Sequence, residues 1–427
     1  MGKMARLLRK MKEIVLRMGL EAYFSTVSSI ETARTKKYSN ILSERMGNTD
    51  IVVIIALYEK TMLRSDVRRY LETLKKKGAY IIAANTCELS VEDVKLISGI
   101  VDVYIEKDNI GRDFGSYKEC VLYFFDKGIN NICKRLLICN DSVFYCTDGI
   151  DAFVDEMIKS KKNVLGSTEN HDFFRHLGSF FLSISSNIFN NKAFLAFWKN
   201  YKKTNVRPHI IKKGELALSA MLFSASHGDI DFSSLYNASK IDVWADSKDK
   251  ILDLPSLIRN GEVTSGSFVN LQENFCKNLI IDSYYRLYLK EGISSPEIKT
   301  SKELMKQEID ERVGYLTFIQ WIDFLKSDVT SIPDTLLAAI KSVCLEIFTQ
   351  GSQIHLNAVI FKMMGMPIIK LDLLYRSALS FCDILLLTDM IQNAKERAEL
   401  KKILFCRLSG DKFHFGFRKA AFKLGYI

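Results

Sequence analysis

Between residues 51 and 139 the chain alternates short aliphatic runs with longer stretches of helical spacing, and this alternation constrains the fold more than any other feature. Residues 51–57 (IVVIIAL) form a continuous, β-branched apolar run suited to a strand buried on both faces of a parallel sheet. Residues 65–77 place Val67, Leu71 and Leu74 on one helical face, and 79–84 read as a second strand. A helix over 90–98 opens with a Ser-x-x-Asp cap at Ser90 and Asp93. A third strand at 101–105, a helix ending near Lys127 and a fourth strand at 135–139 complete a β-α-β-α-β-α-β series. Such a series predicts a mostly parallel sheet with right-handed crossovers, and ligands bind such sheets beyond the carboxyl ends of the strands. The residues that follow those ends are Tyr58-Glu59-Lys60, Asn85-Thr86, the run 109–115 (NIGRDFG) and Asn140-Asp141-Ser142.

The rest of the chain is ordinary in composition. With 48% hydrophobic and 26% charged residues among 427, it has material for a sizeable core, which excludes disordered, collagen-like and coiled-coil classes. Five prolines and 22 glycines leave no room for a long flexible linker, so a second domain should pack closely on the first. Long helical patterns at 301–318, 335–349 and 384–405, with few strand signals, predict a mostly helical region over 241–427. Nine scattered cysteines without a CxxC pair point to a reducing compartment and away from a disulfide scaffold or structural zinc. Absence of an 18-residue apolar run or a signal-peptide core gives the expectation of a protein on the cytoplasmic side.

Charge is concentrated at the two ends. Residues 1–47 carry ten Lys/Arg against four Asp/Glu and residues 395–427 nine against three, while the long middle is near neutral. A nucleic-acid enzyme would place its basic surface around a groove instead, so nucleic acid is not the expected partner. In the first 20 residues Met4, Leu7, Leu8, Met11, Ile14, Val15 and Met18 recur at helical spacing, with six Lys/Arg on the rest of the wheel. Such a segment either lies in an anionic membrane surface or packs its stripe on its own domain. Phe413, Phe415, Phe417 and Phe422 with neighbouring Lys and Arg repeat the aromatic-plus-basic composition at the other end.

Several residues beyond the strands have the chemistry of a site. In NIGRDFG, Gly111 and Gly115 permit close backbone approach and Arg112 offers a fork for phosphate or carboxylate, although Arg112 and Asp113 could simply pair in a turn. Asp141, directly after the fourth strand, can bind a divalent cation bridging two phosphates or cap the next turn. Strands at 164–167 and 180–186 bracket Glu169, His171 and His176. Glu215 is read as lying in the first turn of a helix, where a carboxylate is favoured by the dipole whatever its role.

Taken in order, the stretches NIGRDFGSYKE (109–119), LLICNDSVFY (136–145), LGSTENHDFFRHLGSFFLSIS (165–185), FLAFWK (194–199) and KKGELALSAML (212–222) resemble the rhamnan synthesis protein F family of polysaccharide-building glycosyltransferases. A further stretch, LNAVIFKMMGMPIIKLDLLYR (356–376), resembles that family's C-terminal segment. The chain departs from the family pattern at Tyr145-Cys146, where Gly-Pro is usual, and at Leu356-Asn357-Ala358-Val359, where Asn-Pro-Thr-His is usual. The first departure would alter the acceptor side of the cleft, and the second puts any shared role of that loop in doubt.

The resemblance implies a GT-A type, Rossmann-like nucleotide-sugar domain, placed at 48–240 between a basic segment at 1–47 and the helical region. It implies inverting transfer of a deoxysugar such as rhamnose from a nucleotide-diphosphate donor, dTDP-rhamnose for example, to a glycan or lipid-linked glycan. Tyr58, Asn85, Asn109, Gly111, Arg112, Asp113, Asn140 and Asp141 would face the donor, with Asp141 binding Mg²⁺ or Mn²⁺ and Lys107 and Arg112 able to neutralise the pyrophosphate without a cation. Glu215 would be the base, with Asp113 and His176 the other catalytic candidates. The competing class is a noncatalytic basic protein that binds membrane or nucleic acid through its ends.

Overall fold

The computed structural model describes residues 3–45, 47, 49–226, 228–259, 269–292, 311–407 and 410–427. Its centre is a sheet of nine strands among the described residues. In chain order these are β1 (Ser39–Glu44), β2 (Ile51–Leu57), β3 (Tyr80–Asn85), β4 (Val103–Lys107), β5 (Arg135–Asn140), β7 (Val164–Asn170), β8 (His176–Leu177), β9 (Phe181–Ser185) and β10 (Phe232–Tyr236). The order across the sheet is β1-β4-β3-β2-β5-β9-β7-β10, with β8 hydrogen-bonded to β7. The pairs among β2, β3, β4 and β5 and the β7–β10 pair are parallel, whereas β9 runs antiparallel to both neighbours. This is the mostly parallel α/β sheet that the alternation of strands and helices predicts.

The period of two in β2 explains why that strand is apolar throughout. Val53, Ile55 and Leu57 enter the core on one face of the sheet, and Val52, Ile54 and Ala56 the core on the other. Each aliphatic side chain so buried contributes roughly 1.5–3 kcal/mol. The first face is covered by α2 (Ser65–Lys76), α3 (Val91–Ile100), α5 (Ile150–Lys159) and helices of the C-terminal region. The second is covered by α4 (Arg112–Asp126) and the helices Lys192–Asn200 and Ala217–Ala225. Ser90 caps α3 as expected, its Oγ accepting the Asp93 N–H at 3.1 Å.

Four local expectations are corrected. β1, an exposed edge strand paired antiparallel to β4, falls within the stretch read as a basic segment, where its polar residues (SNILSE) gave no strand pattern. The pattern over 384–405 is two helices, Phe381–Asp389 and Ala394–Phe405, because the Asn393 side chain accepts the N–H groups of Lys395 and Glu396 and starts a new helix. Within the largely helical C-terminal region, β11 (Ile368–Lys370) pairs antiparallel with β6 (Val143–Tyr145). NIGRDFG is largely helical, since α4 begins at Arg112. Of the helix expected over 301–318, residues 301–310 lie outside the described residues, and the remainder opens the helix Glu311–Ser327.

Candidate active site

Order reverses at β2, which is followed in sequence by β3 on one side and flanked by β5 on the other, and such a switch point opens a crevice at the carboxyl ends of the strands. A cleft of about 1480 Å³ occupies it. Tyr58, Asn109, Arg112, Asp113, Asn140, Asp141, His176 and Glu215 all line this cleft, so residues from five separated stretches converge. Asn85 and Gly111 are not in its wall. The buried Asn85 amide instead donates to the Glu59 and Cys87 carbonyls at 2.8 and 2.9 Å and accepts the Glu59 N–H at 3.0 Å, tying two strand-end loops together.

The turn before α4 is built to present Arg112. Gly111 has φ +91°, and its N–H donates to Asn205 Oδ1 at 2.9 Å. Arg112 itself has φ +48°, a left-handed conformation that costs a non-glycine residue on the order of 1 kcal/mol and gathers at functional sites. Gly115 has a packing cause, because a Cβ there would sit 2.2 Å from the Ile110 carbonyl oxygen. Lys107 is fully buried beneath this turn, with Nζ donating to the carbonyls of Asp108 and Ile110. It is a rivet for the loop and not a pyrophosphate ligand, which corrects the expectation. Asp113 is held by Asn140 Nδ2 at 2.8 Å. Burial pushes its carboxyl up, against the opposing charges of Lys370 and Arg112.

Asp141, which lines the cleft, and Glu59, buried behind it, form an acidic pair. Asp141 Oδ2 accepts the Tyr58 N–H at 2.5 Å, and Glu59 Oε2 accepts the Arg64 N–H at 3.1 Å. Burial raises both; the Asp141 carboxylate raises Glu59 further, to about 8, whereas a hydrogen bond from Glu59 pulls Asp141 back down in part. Arg64 holds the group together, donating to the Asp141 and Val143 carbonyls at 2.9 and 2.7 Å and to both oxygens of Asp66 at 3.0 Å. Sequence reading missed Arg64, whose signal was a lone arginine two residues before Asp66 in the loop after the first strand.

A pH dependence follows. Glu59 in the folded chain keeps a proton that the unfolded chain gives up near the ordinary glutamate value of 4.5, so the native state binds more protons between about 4.5 and about 8. Stability should fall as pH rises through that window and level off above it, and Glu59→Gln should flatten the slope. Urea midpoints from pH 5 to 8.5 for both proteins check this; identical slopes would refute it.

Glu215 is not at a helix start. The helix Arg207–Ile210 runs without a break through a π-helical turn, Ile211–Leu216, into Ala217–Ala225, so Glu215 lies inside a continuous rod and gains nothing from an N-terminal dipole. The π turn lies against α4, with Gly214 packed so closely on the Phe114 ring that a Cβ would meet it at 2.9 Å. Glu215 Oε1 accepts the Ser179 N–H at 3.2 Å. His176 is buried with Nδ1 2.7 Å from the Phe174 carbonyl, which makes Nδ1 the donor. Glu169, facing Arg175 and His171, is pushed up by burial but held below its ordinary value by those two partners.

The far wall comes from the C-terminal segment, whose site role the sequence did not disclose. Pairing of β11 with β6 brings Lys370 Nζ to Ser142 Oγ at 2.8 Å and over the Phe180 ring at 4.5 Å. Asp372 bonds His355 at 3.0 Å and Arg376 at 3.3 Å. Tyr145, in one of the two departures from the family pattern, does not line the cleft: it is buried, stacked on Tyr70 at 3.9 Å, and its hydroxyl donates to the Asn140 carbonyl at 2.6 Å. Of the other departure, Leu356 lines the cleft, whereas the Asn357 amide is buried and bonds Gln353. Both chain ends reach the rim, where Phe24 packs on Tyr426 and Tyr23 on Phe417.

No group of three or more metal-ligating side chains occurs among the described residues. Asp141 fits a magnesium-type cation that takes most of its oxygens from a bound diphosphate, since such ions need only one or two protein carboxylates.

An uncharacterized protein, y4gN, of Sinorhizobium fredii (strain NBRC 101917 / NGR234) is 25% identical over 189 residues, 43% of this chain and 48% of its own length. The chain thus matches about half the length of that relative. The crystal structure of the glycosyltransferase GlyE in Streptococcus pneumoniae TIGR4 overlaps 46% of this chain and 49% of its own at 15% identity, with a TM-score of 0.26, a superposition too loose to bear on chemistry. The family comparison covers β3 to β10 together with Arg112, Asp141 and Glu215: over residues 80–265 the chain matches the family of Rhamnan synthesis protein F.

Proposed function

We propose that this chain is a glycosyltransferase that moves a deoxysugar, rhamnose in the first instance, from a nucleotide-diphosphate donor to a growing polysaccharide, with inversion at the anomeric carbon. The observation that carries the reading is convergence: four of the stretches within the family match, 109–119, 136–145, 165–185 and 212–222, contribute residues to one cleft at the switch point of a parallel sheet. In that reading the Tyr58, Thr86 and Asn109 loops receive the nucleotide. Asp113, fixed by Asn140, orients the sugar, and Arg112 neutralises diphosphate charge. A divalent cation on Asp141, when bound, would add to that neutralisation. Glu215 takes the proton from the acceptor hydroxyl as the glycosidic bond forms and the nucleoside diphosphate leaves. Incubating the protein with radiolabelled dTDP-rhamnose, or UDP- and GDP-sugars, and glycolipid extract tests this. Label should enter the glycolipid from one donor, and no transfer from any of them would overturn it.

The same reading includes attachment to a membrane surface. Among the described side chains of the helix α1 (Lys3–Arg34), Leu20 is the first that is buried against the body; Leu7, Leu8, Met11, Ile14, Val15 and Met18 are each more than half exposed. Phe413 and Phe415 are also exposed, near the contact of Tyr23 with Phe417. Six Lys/Arg precede residue 18, and each is worth about 1 kcal/mol beside an anionic lipid surface. No described helix is long and apolar enough to cross a membrane. Deleting residues 2–17, which leaves Leu20 in place, should lower binding to phosphatidylglycerol vesicles at least tenfold, and added salt should weaken binding of the intact chain. An intact protein that ignores such vesicles at low salt would refute the attachment.

A further inference from the structure

Four cationic side chains from three distant parts of the chain line the cleft, and Arg112, Arg207 and Arg376 lie near enough to repel one another: Arg112 at the start of α4, Arg207 at the start of the helical rod bearing Glu215, and Lys370 and Arg376 from the C-terminal segment. We propose that Arg207, Arg376 and Lys370, together with Arg112, form a subsite for the phosphate oxygens of a diphosphate group. This rests on the proposed function only for the source of the diphosphate.

Three observations support it. First, the cluster is held in place from behind. Arg207 Nη1 donates to the Gly425 carbonyl at 3.1 Å, and Arg376 donates to the Ile427 carbonyl at 2.7 Å and to Asp372, while its guanidinium lies over the Tyr375 and Phe422 rings. These contacts occupy part of each fork and fix its plane, which is what bidentate recognition of phosphate requires. Second, the only non-glycine residues of positive φ among the described residues are Arg112 (φ +48°) and Ser377 (φ +56°). One is a member of the cluster, the other immediately follows Arg376, and both line the cleft. Backbone strain is thus confined to the two segments that aim these guanidiniums. Third, the charges crowd one another: burial, then the neighbouring guanidiniums of Arg376 and Arg112, push Arg207 down to about 10. Asp113, Glu215 and Asp372 answer only part of this positive charge, and Asp372 is already shared with His355. A diphosphate, with several charges and acceptor oxygens, relieves the repulsion.

The test is calorimetric binding to the full chain, with inorganic pyrophosphate, dTDP, UDP, the matching nucleosides and a polyprenyl diphosphate in detergent micelles as probes. Arg207→Gln and Arg376→Gln should each weaken pyrophosphate at least tenfold and leave the weak nucleoside binding unchanged. If a glutamine variant fails to fold, Arg207→Lys and Arg376→Lys carry the test, since they keep charge but lose the fork and should still weaken pyrophosphate several-fold. A loss for pyrophosphate together with dTDP or UDP assigns the subsite to the donor, and a loss for pyrophosphate together with the polyprenyl diphosphate alone assigns it to a lipid-linked acceptor; both uphold it. Unaltered affinity for all diphosphates in folded variants overturns it. Pyrophosphate binding without nucleotide binding would leave the subsite standing while the donor reading falls.

Discussion

Replacing Glu215 by glutamine should lower the turnover of sugar transfer by about 10²- to 10⁴-fold and leave donor affinity nearly unchanged. The acceptor hydroxyl must lose its proton as it attacks, and the glutamine amide cannot take it. Geometry should survive the change, because a glutamine oxygen can still accept the Ser179 N–H that Glu215 accepts at 3.2 Å, and the packing of Gly214 on Phe114 is untouched. The π turn matters here: it places Glu215 inside a rod whose ends are fixed at Arg207 and Ala225, so the carboxylate is positioned by the backbone on both sides. Steady-state kinetics with saturating donor separate the possibilities. A variant with normal kcat and weakened donor binding would move Glu215 to substrate binding and direct the search for the base to His176, which lines the same cleft.

The second large effect is on stability. Arg64→Met should cost about 3–5 kcal/mol, the scale for removing one partner of a buried charge group, because it strips the cation from Asp66, Glu59 and Asp141 together and leaves the Asp141 and Val143 carbonyls short of a donor. The loss should be smaller at acidic pH. Without the guanidinium the folded-state carboxyl values rise further, so protonation favours the folded chain below them. Urea unfolding at pH 5 and pH 8 checks both statements, and a loss under 1 kcal/mol at pH 8 would show that these acids are neutralised by something else.

The sheet was legible because buried parallel strands announce themselves as aliphatic runs: residues 51–57 are β2 to the residue. From the strand pattern alone the site was legible where it follows the parallel strands, as at Asp113 and Asp141, whereas Glu215 came only from the family resemblance. β1 was hidden because an edge strand open to solvent has no burial pattern to enforce apolar residues. Lys107 misled because a lysine before a glycine-rich turn reads as a ligand, whereas full burial spends its donors on carbonyls. Arg207, Lys370 and Arg376 are more than 60 residues from any strand-end motif or lie beyond the last strand of the main sheet, and only the β6–β11 pairing and the meeting of the chain ends bring two of them to the cleft.

The most direct measurement is thermal unfolding of the intact protein against a panel of nucleotide-diphosphate sugars, each with and without Mg²⁺ or Mn²⁺. A donor present at one hundred times its dissociation constant adds about 2.7 kcal/mol to the folded state. One sugar nucleotide should therefore raise the melting temperature of the wild-type chain, and Asp141→Ala, if folded, should abolish most of that rise. A panel in which no sugar nucleotide shifts the wild-type transition, with or without cation, would contradict the assignment of this cleft to a nucleotide-sugar donor.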